Sequence, residues 1–144
     1  MITIRTMDIS DYESVISLWS QTESLSLRDA DSKESIENYL NRNQGLSFVA
    51  LDNNDIVGAV LVGTDGRRGY LQHLAVSPKY RGQKIGHNLV EKSVAALAVM
   101  GISKTHLFVY SDNVKAQGFY EKTGWFPRDE IRMYSFNSSE NSNV

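Results

Sequence analysis

Between Leu74 and Gly86 the chain reads L-A-V-S-P-K-Y-R-G-Q-K-I-G, a run whose residue types and spacing suit the binding of a phosphorylated ligand. An apolar stretch passes through a proline turn into a loop that carries Lys79, Arg81 and Lys84, is punctuated by Gly82 and Gly86, and opens an amphipathic helical pattern. The first backbone N–H groups of a helix lack intrahelical partners, and the aligned peptide dipoles add about half a positive charge there. Glycines let phosphates lie against the main chain, and cations on the rim add full charges. Spacing excludes two common phosphate loops. The Walker loop needs G-x-x-x-x-G-K-[ST], whereas Gly82 and Gly86 stand four apart and are followed by His87 and Asn88. The dinucleotide fingerprint needs G-x-G-x-x-G directly after a strand, and no such glycine triplet occurs.

A second motif follows some thirty residues later, where residues 113–125 read N-V-K-A-Q-G-F-Y-E-K-T-G-W. The first stretch, L-A-V-x-P-x-Y-R-G-x-x-I-G, resembles the coenzyme A loop of the GNAT superfamily of N-acetyltransferases, whose motif is Gln/Arg-x-x-Gly-x-Gly/Ala. Arg81 and Gly86 match its ends, and Lys84 stands where the family has its middle glycine. The second resembles the family helix N-x-x-A-x-x-F-Y-x-x-x-G-[FW], with Asn113, Ala116, Phe119, Tyr120, Gly124 and Trp125 in the matching places. The ordered pair covers residues from about 70 to 126; the N-terminal half agrees only in its pattern.

The resemblance implies acetyl coenzyme A as acetyl donor, held by Arg81, Gly82, Gln83, Lys84, Ile85 and Gly86 at its phosphates. In the family the strand corresponding to Leu74, Ala75 and Val76 bulges, and a bulge frees main-chain groups for the pantetheine arm and the thioester carbonyl. The side chains of those three residues read as ordinary buried strand residues. Asn113 reads as a helix cap and, by resemblance, as a hydrogen-bond partner of pantetheine; Phe119 packs or touches the cofactor. Tyr120 holds the place of the family's general acid, which protonates the departing thiolate. For the base, His73 immediately precedes the implied bulge, and a histidine ordinarily titrates near pH 6.5. Strand alternation also groups His73 with Leu71 and Ala75, so a catalytic base and a core histidine both stand as readings. Asp29, Asp31 and Asp65 are weaker candidates for the base, loop carboxylates whose direction the pattern does not give, and Arg67 and Arg68 read either as holding an anionic substrate or cofactor group or, the reading preferred, as a solvated hairpin tip.

The implied reaction is direct attack by a primary amine, on a small molecule or a peptide, within a ternary complex. It requires no metal, and with zero cysteines no acetyl-cysteine intermediate is available. Two rivals share the scaffold: a non-catalytic module that binds and senses acyl coenzyme A, and a structural or interaction protein. Turnover separates the first rival from an enzyme, and the intact Tyr120 and loop oppose the second.

These residues need elements to position them. The pattern gives a short strand at 2–5, a helix capped by Asp8 or Ser10 with Tyr12, Val15, Ile16, Leu18 and Trp19 inward, and a loop over 24–31. Ser32 caps a second helix bearing Ile36, Tyr39 and Leu40, ended by Gly45. Apolar runs at 46–51, 56–62 and 70–76, joined by D-N-N-D and D-G-R-R-G, make an antiparallel meander. The helix after Gly86 turns Leu89, Val90, Val94, Leu97 and Met100 inward and stops at Gly101. A strand at 105–110, reached by this helical crossover, can lie parallel to the strand ending at Val76. A helix from Asn113 and a strand within 131–136 complete the order. The expected fold is therefore a mixed, three-layer α/β/α domain of the GNAT type over residues 1–136, its central sheet mostly antiparallel with a parallel pair splayed at the cofactor site. Residues 137–144 form a polar tail expected to be disordered. With about 20 residues after Gly124 the closing hairpin is short, which leaves the acceptor site open or completed by a second subunit of a homodimer.

Composition agrees with one globular domain: 144 residues, 41% hydrophobic and 22% charged, with two prolines. No run of 18 apolar residues and no basic, apolar leader occurs, so a cytoplasmic protein without a membrane partner is expected. Residues 8–55 hold ten acidic against three basic side chains, and residues 67–92 six basic against one acidic. A basic middle suits a phosphate-rich cofactor and an acidic region a cationic amine, although solvated surface is the preferred reading of the latter. No aromatic and basic stacking platform is present, which argues against nucleic acid.

Overall fold

The computed structural model describes all 144 residues, in two compact units, Met1–Phe108 and Val109–Val144. The first unit contains β1 (Ile2–Thr6), α1 (Tyr12–Ser20), α2 (Lys33–Arg42), β2 (Phe48–Asp52), β3 (Asp55–Thr64), β4 (Gly69–Val76), α3 (Ile85–Val99) and β5 (Thr105–His106). The strands form one sheet in the order β1-β2-β3-β4-β5, antiparallel except for the β4-β5 pair. This is the mixed sheet expected from the sequence.

The sheet is covered on both faces within this unit. Val15 and Trp19 of α1 and Ile36 of α2 pack with Val49, Leu51, Ala59, Leu61 and Ala75 on one face. On the other face α3 approaches so closely that a Cβ on Gly58 would meet Leu89 at 3.1 Å and Ile85 at 3.2 Å. Gly69 is tighter still, its added Cβ falling 2.6 Å from Leu97. Glycine in these strands is therefore a packing requirement.

Helix ends follow the local sequence. Ser32 accepts the Ser35 N–H with its hydroxyl at 3.2 Å and caps α2. At the end of α3, Gly101 adopts φ +84°, the Ile102 N–H reaches Leu97 O at 3.0 Å and the Gly101 N–H reaches Ala98 O at 2.9 Å, a Schellman closure. The inward stripe of α3 differs from the expected one. It runs through Ile85, Leu89, Ser93 and Leu97 in steps of four with Val90 beside it, leaving Val94 and Met100 exposed. Ser93 takes a core place because its hydroxyl is satisfied by Leu89 O at 2.7 Å.

Two strand expectations are corrected. β5 ends at His106 rather than at residue 110, its parallel ladder with β4 stopping at the Tyr70 to His106 rung. Residues 131–136 form no strand: the Ile131 N–H turns back to Arg128 O, and within the unit Val109–Val144 no second strand offers a ladder. That unit contains α4 (Val114–Lys122) and a polar C-terminal turn in which the Asn137 side chain bonds Asn141 O and the Ser139 N–H.

Candidate active site

The loop between β4 and α3 takes its shape from the main chain. Pro78–Tyr80 make a single 3-10 turn, Gly82 adopts φ +81°, and Lys84 enters the left-handed region at φ +65° immediately before Ile85 starts α3. No side chain caps α3 at Lys84, so its first-turn N–H groups face outward unclaimed by a capping oxygen. Above Gly82 an added Cβ would meet nothing within 4 Å. Lys79, Gln83 and Lys84 are exposed around this opening. Arg81, also exposed at this rim, donates from Nε to Val76 O at 3.0 Å and pairs its Nη1 with Glu23 Oε1 at 2.7 Å. It braces the end of β4 against the segment after α1.

β4 carries the bulge. Ala75 faces Ala59 and Gln72 faces Leu61, so two β4 residues, His73 and Leu74, oppose Val60 alone. His73 has φ +52°, the dihedral that admits the extra residue. The Ser77 N–H bond to Val57 O at 2.8 Å sets the phase beyond the bulge: Ala75 pairs its main chain with Ala59, and Leu74 and Val76 turn theirs toward the β5 side. On that side the ladder has only two rungs, Gly69 with Thr105 and Tyr70 with His106. The Val76 carbonyl is occupied by Arg81, which leaves its N–H and the Leu74 main chain facing the gap.

The bulge also splits the group in which alternation placed His73, parting it from Leu71 and keeping it with Ala75. An extra residue reverses alternation, so Leu71 faces α3 with Val62 while His73 shares the α1 face with Ala75. There its ring lies 4.9 Å from that of Trp19, and its Nε2 is 2.8 Å from Asp31 Oδ1. The other carboxylate oxygen of Asp31 accepts the Arg28 N–H at 3.0 Å, and the Asp31 carbonyl accepts the Tyr12 hydroxyl at 2.7 Å. Burial pushes the Asp31 carboxyl up, but the His73 hydrogen bond, the Arg28 N–H and the His73 charge outweigh it and hold the group below its ordinary value. The Trp19 indole N–H is buried without a partner. Asp65, by contrast, is consumed by its hairpin, where Oδ1 accepts the N–H groups of Arg67 and Arg68, both at 2.8 Å.

In the second unit Asn113 caps α4, its Oδ1 accepting the Ala116 N–H at 3.2 Å while its amide N–H₂ is left for another acceptor. Tyr120 is half-buried between aromatic edges, 5.1 Å from Phe119 and 5.7 Å from Trp125 between ring centroids. Gly124 at φ +98° lets the Trp125 N–H return to Tyr120 O at 3.1 Å, which closes the helix and fixes that ring against the tyrosine. Burial pushes the phenol up to about 12.

A phosphate-ready helix start beside a bulged, two-rung parallel strand pair defines a recognisable class of fold. Residues 12–125 match the acetyltransferase (GNAT) family. An acetyltransferase of Pectobacterium atrosepticum is 39% identical over 130 residues, covering 90% of this chain and 92% of that protein. One from Yersinia pestis is 35% identical over the same shares of each. Among solved structures, the PaiA N-acetyltransferase of Thermoplasma acidophilum in complex with coenzyme A superposes with a TM-score of 0.78 at 25% identity, covering 90% of this chain and 92% of that one. A chain of the NatC complex bound to Gag peptide and CoA gives 0.76 at 27% identity, covering 92% and 86%. The chain belongs to the GNAT family and is an acetyltransferase with a coenzyme A-binding fold. No helix is long and apolar enough to cross a membrane.

The Asp31 to His73 contact and the Arg81 to Glu23 brace were not visible in the sequence. Each joins residues far apart in the chain, and no local spacing marks them.

Proposed function

We propose that the protein transfers an acetyl group from acetyl coenzyme A to a primary amine, on a small molecule or a peptide, by direct attack in a ternary complex. The observation that carries this reading is the open main-chain cradle formed by Gly82, left-handed Lys84 and the first turn of α3. An anionic pyrophosphate fits it because the donors are fixed, the space above Gly82 is clear, and Lys79 and Lys84 supply charge. Acetyl coenzyme A supplies the activated acyl carbon. The chain supplies positions: Leu74 and Val76 N–H groups for the carbonyl and the pantetheine, and the Asn113 amide for the same arm. His73 is the proton acceptor in this reading and Tyr120 the donor. In this reading the setting is cytoplasmic.

The raised phenol defines what Tyr120 can do. An ordinary thiol titrates near 8.5, so complete transfer from a phenol at about 12 to a thiolate is uphill. Tyr120 therefore stabilises the leaving sulfur as a hydrogen-bond donor and gives up its proton only as another replaces it. Tyr120→Phe keeps the ring contacts and removes the donor; kcat should fall about 10² to 10⁴-fold with donor affinity unchanged. Full activity in this variant at every pH would end the donor role.

Thiol release from acetyl coenzyme A in the presence of amines, polyamines, amino acids and peptide N-termini tests the whole reading. At least one acceptor class should support turnover. Calorimetric binding of the coenzyme with no thiol release for any amine would instead identify a sensing module.

A further inference from the structure

We propose that Asp31 is a positioning residue that holds His73 by Nε2, so that Nδ1 is the atom that receives the proton of the acceptor amine. This deepens the transfer reading and rests on it. An ionised carboxylate can only accept hydrogen bonds, so across the 2.8 Å contact Nε2 must carry the hydrogen, and a neutral imidazole then has its free pair at Nδ1. Asp31 is itself fixed, with Oδ2 on the Arg28 N–H and its carbonyl on the Tyr12 hydroxyl. The left-handed bulge points the imidazole at this carboxylate, and the Trp19 ring backs it. The two side chains are 20% and 9% exposed, which makes His73 the more open of the pair and Asp31 the more enclosed.

The proton bookkeeping closes. The acceptor ammonium gives one proton to Nδ1, the freed nitrogen pair forms the N–C bond as the C–S bond breaks, and the second nitrogen proton replaces the one lent to sulfur by the donor side. The imidazolium, opposite an ionised Asp31, then returns its proton to water. The charged and titratable groups around the pair are Asp31, Arg28 through its backbone, and Tyr12 with Glu13 beside it on α1; the strand opposite offers Val60.

The test reads the tautomer and the rate separately. Nitrogen-15 NMR of the imidazole in the wild-type protein should show the hydrogen on Nε2 in the neutral ring, with or without coenzyme. In Asp31→Asn both tautomers should be populated, and kcat should fall about 10 to 10²-fold while KM for the donor holds. His73→Asn, chosen because asparagine tolerates left-handed dihedrals, should lose the acid limb of the pH-rate profile and about 10² to 10⁴ in kcat at neutral pH, with partial recovery in alkali. An active enzyme whose ring carries its hydrogen on Nδ1, or an Asp31→Asn variant with wild-type kcat and tautomer, overturns the pairing and leaves acetyl transfer intact. Absence of turnover for every amine overturns the transfer reading and the proton role with it, whatever the spectrum shows.

Discussion

The loop from Ser77 to Gly86 and the Asp31 to His73 pair lie in one unit of the molecule and are made of different material. The loop is main chain: a proline turn, two positive φ angles and a helix start, all contiguous. The pair is side chain: an imidazole and a carboxylate 42 residues apart, joined because β4 bulges and the segment before α2 folds onto the same face. A main-chain site survives most exchanges of side chain that preserve its dihedrals. A side-chain site survives exchanges almost everywhere except at the two residues that form it.

The largest stability effect is expected at the pair. Asp31 is held below the ordinary carboxylate range despite burial, and Asp11 is held there by hydrogen bonds from Arg5 at 2.8 Å. A depressed carboxylate contributes stability that is fully present above its unfolded pKa, about 3.9, and is lost as pH falls through the lower folded value. Thermal melts should therefore be level from neutral pH to about 5 and decline below about pH 4. Asp31→Asn should cost about 1 to 3 kcal/mol at pH 7, since it weakens charge-assisted hydrogen bonds, and should make the acid decline shallower. An acid slope identical to wild type would mean that the carboxylate is not what the pair rests on.

The loop should answer to dihedrals instead. Gly82→Val forces a branched residue into φ +81°, which costs about 1 to 2 kcal/mol; the loop then leaves its cradle shape, and coenzyme affinity should drop about 5 to 30-fold. Arg81→Ala should cost less, because its guanidinium is committed to Val76 O and Glu23. Calorimetry on the two variants ranks them, and a larger loss from Arg81→Ala would make the loop a charge site and break the contrast.

The same division decides what the sequence revealed. The loop after β4, the meander and the Gly101 closure of α3 are local, so spacing and turn chemistry were enough to read them, whereas α2 ends at Arg42, short of the Gly45 that was read as its stop. His73 was legible as a candidate and as a neighbour of Ala75, but not as separated from Leu71, because a single extra residue at the bulge broke the alternation on which that grouping relied. Asp31 was one of three indistinguishable loop carboxylates until the fold gave one to a hairpin and one to His73. The missing strand at 131–136 has the same origin: an apolar run becomes a strand only when a neighbour supplies the ladder, and local pattern does not report the neighbour.

The smallest expected effect is also the most discriminating for the loop. Lys84 stands where the family resemblance places a glycine, and it occupies the left-handed region, at φ +65° and ψ +17°, with no capping bond to compensate. An L-residue there costs about 1 to 2 kcal/mol. Lys84→Gly removes that cost, while the greater freedom of glycine in the unfolded chain returns about 0.4 to 1 kcal/mol of it. The variant should be more stable by about 0.5 to 1 kcal/mol, measured by denaturant unfolding. Its coenzyme affinity at physiological salt should stay within about 2-fold of wild type, because one exposed ammonium is screened over a Debye length of about 8 Å whereas the N–H donors remain in place. Higher stability with affinity retained would show that the cradle is main chain. Higher stability with a tenfold loss of affinity would show that Lys84 contributes its charge and that strain at this position is retained for binding.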